Sequence, residues 1–306
     1  MGVQRHVLFV PIPAQGHVAP LMKLAQQIAD YDIKVTFVNT EFIHNKIISS
    51  LPENYYDENR RQRLKLVSVP DGLGPEDNRT DFLKLTDSML RVTPGYLKDL
   101  IDQSNRIGEG EEITCLIGDL SVGWAFKIAE EMGIMRAALL PCASAALALT
   151  LQVPKLIETG IIDTNGTTLK NELIHLSKGM PSWSSYELIW SCQNDLATQK
   201  VFFDYTADTH KTMEIVNWIL CNSSYEIDQP AFDLVPNVLP IGPLLASKHT
   251  NGIIGRQEIK DKIKKLLSDD GIRETSLKLM EVARKSVSQG GSSKRNLEYF
   301  IEQIKG

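Results

Sequence analysis

Short apolar runs rich in β-branched and aromatic residues recur along most of this chain, and between them the apolar positions return every three or four residues. Residues 6–10 (HVLFV) form the first such run, and Pro11 and Pro13 close it, because proline donates no ladder hydrogen bond and fixes φ. Further runs at 34–40 (KVTFVNT), 64–69 (LKLVSV), 113–119 (ITCLIGD), 137–142, 218–223 and 238–244 are expected to be buried strands. Between them, Leu21, Leu24, Ala25 and Ile28 recur at helical spacing, and helices are expected over 81–104, 122–132, 143–158 and roughly 195–217. Strands alternating with helices predict an α/β fold, a Rossmann-like doubly wound parallel sheet.

After Leu244 the rhythm becomes purely helical. Ile259, Ile263, Leu266 and Leu267 form one stripe, and Leu277, Met280, Ala283 and Val287 a second. Leu297, Phe300, Ile301 and Ile304 form a third beyond the Gly290-Gly291-Ser292-Ser293 break. The expected division is therefore a sheet domain over 1–247 and a helical tail over 248–306.

Composition narrows the function classes. With 42% hydrophobic and 23% charged residues the chain is of ordinary globular character, and its net charge of −5 argues against nucleic acid or an anionic membrane as the default partner. The first apolar run is too short to span a bilayer and lacks the long centre of a signal peptide, so a cytoplasmic protein is expected. Cys115, Cys142, Cys192 and Cys221 lie far apart with no CxxC pair and are expected to be buried, reduced thiols. Sequons at Asn78, Asn165 and Asn222 would then go unused.

Two polar residues mark candidate chemistry. His17 follows the first strand on the turn Gln15-Gly16-His17, where ligands sit in open α/β sheets. It reads either as a general base or as a solvated, capping histidine. Asp119 ends the fourth strand after CLIG, either partnering His17 or capping the helix that begins near Val122. The turn is neither a GxGxxG fingerprint nor a GxxxxGK[ST] loop, so a nicotinamide or ATP site is not expected there.

In order along the chain, PIPAQGHVAPLMKLA, PDGLG, IGDLSVGWAFKIAEEMGI, CNSSYEIDQPAFD and VLPIGPL resemble the amino-terminal half of a plant-type UDP-dependent glycosyltransferase of small molecules. The resemblance implies half of a GT-B architecture, in which two Rossmann-like domains face each other, the first holding the acceptor and the second the sugar nucleotide. It implies His17 as catalytic base and Asp119 as its orienting carboxylate, in an inverting displacement of UDP by a hydroxyl of a flavonoid or simple phenol. UDP-sugar is then a co-substrate, with no further cofactor and no metal. Acceptor contacts carried over by position are Gln15, Gly16, Met89, Ser121 and Val122. The loops 70–81 and 178–195 fall where such enzymes shape the acceptor pocket, and Trp183, Tyr186 and Trp190 offer flat walls for an aromatic ring. Those aromatics read equally well as core.

Two departures are visible. Pro141-Cys142 stands where many relatives carry a threonine near the sugar. After Leu244 none of the tryptophan-, histidine- and glycine-rich signature that grips the nucleotide is present, while the tail resembles the family's extreme carboxyl end. The expectation is a chain with the middle of its donor-binding domain absent and with little activity alone. The last tail helix is then expected to dock on the sheet domain through Leu297, Phe300, Ile301 and Ile304, while the first two, unless they find the flank of that domain, leave apolar faces open to partners or aggregation.

Overall fold

The computed structural model of the chain describes residues 5–50, 63–108, 110–170, 172–192, 195–235, 237–244 and 270–306. Seven parallel strands form one sheet: β1 (His6–Val10), β2 (Lys34–Thr40), β3 (Leu64–Val69), β4 (Cys115–Asp119), β5 (Met135–Leu140), β6 (Trp218–Cys221) and β7 (Val238–Pro240). Their order is β3-β2-β1-β4-β5-β6-β7, with Val7 opposite both Val35 and Cys115. All seven expected strands are present, β1 to β3 with the expected ends and β4 to β7 shorter or shifted. β5 stops at Leu140 because Pro141 cannot donate to the ladder, whereas β7 lies at the sheet edge and admits Pro240, after which the Ile241 N–H still donates to the Cys221 carbonyl at 3.0 Å.

Every residue of β1 is buried because helices cover both faces of the sheet. Val7 and Phe9 point to one side, into a core with Leu21, Leu24, Ala25 and Ile28 of α1 (Gln15–Ala29). Leu8 and Val10 point to the other. There they meet Leu97 and Ile101 of α3 (Phe82–Ile107), Phe126 of α4 (Gly123–Glu131) and Leu147 of α5 (Ser144–Glu158). A helix not anticipated from the sequence, α2 (Glu41–Ser50), lays Ile43 and Ile47 on the first core. Leu149, Val153 and Phe203 build a third cluster between α5 and α6 (Leu196–Ile215). A short α7 (Tyr225–Phe232) follows β6.

The tail divides in two. In α9 (Ser292–Lys305), Leu297, Phe300, Ile301 and Ile304 are all buried in the first core, the Phe300 ring meeting Trp218 edge-on at 5.8 Å. Asn296 donates to the Pro240 carbonyl at 2.7 Å and Arg5 to the Lys305 carbonyl at 2.8 Å. In α8 (Asp270–Val287), by contrast, Leu277, Leu279 and Met280 are exposed, and only the last turns pack, with Ser286 buried. The stripe at Ile259, Ile263, Leu266 and Leu267 lies outside the described residues. Among the described residues no helix is long and apolar enough to cross a membrane.

Truncating Phe300, which has no exposure, leaves a cavity between α9 and the sheet. Phe300→Ala is expected to cost about 3–5 kcal/mol of unfolding free energy, read as a lowered urea midpoint. An unchanged midpoint would show that α9 is not part of the cooperative unit.

Candidate active site

The strand order reverses between β1 and β4, and in open parallel sheets the crevice at such a reversal is where ligands bind. Val10 and Gly118 are register partners across this point, so the residues that follow them share one rim. A Cβ on Gly118 would lie 2.9 Å from Val122 and 3.0 Å from Phe126, so glycine lets α4 sit close over the strand end.

Asp119 has no exposure. Its Oδ2 lies 2.6 Å from Nδ1 of His17, and its Oδ1 accepts the Ser121 N–H at 2.9 Å. Asp119 therefore holds His17 and shapes the turn into α4, but it does not cap that helix, whose N-cap is Val122 without a side-chain bond. A carboxylate at Nδ1 fixes the tautomer with the proton on that nitrogen and leaves the Nε2 lone pair free to accept. His17 is 35% exposed and lines the adjoining cavity. Burial lowers its proton affinity, yet the hydrogen bond and charge of Asp119 outweigh this and raise its pKa above the ordinary 6.5.

The cavity, of about 420 Å³, lies over the carboxyl ends of β1, β4 and β5. Met89, Ser121 and Val122 line it, as does the exposed Cys142 just past β5. Gln15 and Gly16 are exposed at the start of α1 and stand outside the cavity wall.

Trp190 is not a wall of this cavity. It is fully buried in the third cluster, where its indole N–H donates to the Gly166 carbonyl at 2.9 Å and its ring meets Phe203 edge-on at 5.3 Å. With its polar edge satisfied and its faces covered, it has nothing left to offer a ligand. Trp183 packs on the same cluster and pairs through its backbone with Ile174, and Tyr186 is exposed outside the cavity wall. The aromatic walls are instead Trp124, Phe202 and Tyr205. Trp124 stood in plain view two residues beyond Val122, whereas the facing of Phe202 and Tyr205 depends on how α6 packs.

Arg79 is a further wall residue that the sequence pattern did not single out. Its guanidinium grips Asp71 with both oxygens, at 2.7 and 3.2 Å, and bonds the carbonyls of Leu73 and Gly74. The bond to Asp71 raises its already high pKa, and the bidentate pair ties the PDGLG loop to a residue of the cavity wall. Within that loop Gly72 has φ +77°, a conformation in which a Cβ would also collide with Ser88 and Val92. The four cysteines are free, Cys115 and Cys221 buried as expected but Cys192 only half-buried and Cys142 exposed. Burial pushes the Cys115 thiol up to about 12.

The folded chain holds the His17 proton more tightly than an unfolded chain does. The contribution of the pair to stability is thus fully present below pH 6.5 and is lost as pH rises through the raised folded value. Base function begins on the other side of that value, where the imidazole is neutral. An NMR titration is expected to place the His17 midpoint above 6.5 in the native chain. In Asp119→Asn, where burial alone acts, it should fall below 6.5. A midpoint indifferent to that substitution would remove the coupling.

Residues 4–57 match the family described as glycosyltransferase, N-terminal domain. UDP-glycosyltransferase 83A1 of Arabidopsis thaliana is 40% identical over 242 residues, covering 78% of this chain and 52% of that protein. Among solved structures, a UDP-glucosyltransferase from Polygonum tinctorium superposes with a TM-score of 0.61 at 19% identity, over 82% of this chain and 55% of that one. LpCGTa in complex with UDP gives 0.68 at 14% identity, over 99% of this chain and 100% of that chain. At these identities the structural likeness is one of fold, whereas the sequence likeness carries further. The chain belongs, through the residues these relatives share with it, to the plant-type UDP-dependent glycosyltransferases, and it spans about half the length of the curated relatives it matches.

Proposed function

We propose that the cavity holds a hydroxylated small molecule and that His17 is the base for inverting transfer of a sugar, glucose in the first instance, from a UDP-sugar to that hydroxyl. The observation that carries this reading is the 2.6 Å bond between His17, which lines the cavity, and a fully buried Asp119 behind it at the sheet reversal. Nε2 takes the hydroxyl proton as the acceptor oxygen bonds to the anomeric carbon, and the bond from that carbon to the phosphate oxygen breaks on the opposite face. UDP leaves with the electron pair, and Asp119 balances the imidazolium formed. Such base assistance is worth about 10²- to 10⁴-fold.

That help acts only on a donor already held in line, and positioning of this kind contributes about 7 to 11 kcal/mol. All four tryptophans precede Leu244, and the one glycine pair after it, Gly290-Gly291, opens α9, whose apolar face is buried in the sheet domain's core. The chain by itself is therefore an acceptor-binding half with an idle base. The apolar side chains that α8 leaves exposed, Leu277 and Met280 on one face and Leu279 off it, favour a second reading as a non-catalytic fragment that associates with an intact relative.

Incubation with UDP-glucose and a panel of flavonoids and phenols, read by mass spectrometry, is expected to give no glucoside above background. Calorimetry should show heat for acceptor but none for UDP-glucose. Turnover comparable to that of a full-length relative, abolished by His17→Ala, would overturn the idle-base reading. Added intact relative that changes its own turnover when this chain is present would favour the fragment reading.

A further inference from the structure

The cavity beside His17 is not closed at its far end. A second cavity of about 650 Å³ lies against it, between α3, α4 and α6, and both are lined by Thr86, Leu90, Leu120, Ser121, Trp124 and Tyr205. The two are thus compartments of one elongated space. A simple phenol fits within the first compartment alone and leaves the second without a use.

The second compartment has an aliphatic body and a charged mouth. Leu83, Val201 and Ile215 join the shared Leu90 and Leu120 along its walls. Five charged side chains stand around it: Asp87, Asp204 and Asp208 against Lys127 and Lys211. Each acid already has a cation of its own. Asp87 pairs with Arg91 at 3.0 Å, Asp208 with Lys211 at 2.7 Å, and Asp204 with Lys200 one turn away. Lys127, exposed on α4, is left as the cation lining this compartment without an ion-pair partner among the described residues. One lysine without an ion pair among the described residues therefore lines the compartment that continues the apolar cavity beside His17.

Resting on the proposed acceptor role of His17, we propose that the acceptor is an elongated, largely aliphatic hydroxy acid. Its hydroxyl reaches His17 and its carboxylate reaches Lys127. The apolar walls bind the body without regard to direction, and the single charge at the far end sets which end faces the base. A diffuse positive charge at an exposed lysine gives selectivity more than affinity, since water and salt screen it.

Calorimetric titration of the whole chain with 12-hydroxydodecanoic acid, 1,12-dodecanediol and 4-nitrophenol tests this. The acid is expected to bind about threefold to tenfold tighter than the diol at low ionic strength, with the advantage shrinking in 0.5 M salt. Lys127→Met should bring the acid down to the diol. Val201→Trp, which fills only the second compartment, should weaken both long probes and spare 4-nitrophenol. Equal binding of acid and diol, or an acid preference that survives Lys127→Met, would overturn the proposal while 4-nitrophenol binding left the role of the first compartment standing. If 4-nitrophenol fails to bind or ignores His17→Ala, it is the acceptor role of His17 that falls. Lys127 and Val201 lie outside the main cores, and matched urea midpoints for the two variants establish that they fold.

Discussion

A carboxylate with no access to water must find its charge balanced inside the protein, and in this chain that requirement falls on Asp119. The end of β4 places it where the sheet reverses, Gly118 lets α4 press down beside it, and its two oxygens are taken by His17 and the Ser121 backbone. These constraints set the others. The direction of the imidazole, the path of the β4–α4 turn and the rim on which the cavity opens all follow from where that one charge is buried.

The parts of the fold that were readable from the chain are those governed by local repetition. A strand covered on both faces is dominated by apolar residues, as Val7, Leu8, Phe9 and Val10 of β1 and Val35, Phe37 and Val38 of β2 show; a helix buried on one side must repeat its apolar residues, and α1 and α9 do so. Pro141 bounds β5 by the loss of a donor, which refines an end without altering order. The short α2 escaped notice because Phe42, Ile43, Ile47 and Ile48 mix half-buried with exposed positions and include the β-branched residues that also suit strands.

The site was readable where chain order dictates it and opaque where packing does. His17 and Asp119 each follow a central strand, so topology brings them together whatever the loops do. Trp190 and Trp124 are the same residue type with opposite fates. One satisfies its indole N–H in the 161–190 segment and vanishes into core, while the other faces the cavity from the first turn of α4. Nothing local distinguishes them, because the choice depends on Gly166 and Phe203, neither of them a near neighbour in sequence.

The hydrogen bond between Arg5 and Lys305 joins residues 300 apart, and α9 completes a core begun by the first strand. During synthesis β1 and α1 leave the ribosome long before α9 exists, so the apolar floor that Phe300 and Ile301 will cover stays open for most of translation. At about 5–20 residues per second this wait lasts tens of seconds. The core face that α9 covers is therefore where nascent chains need shelter.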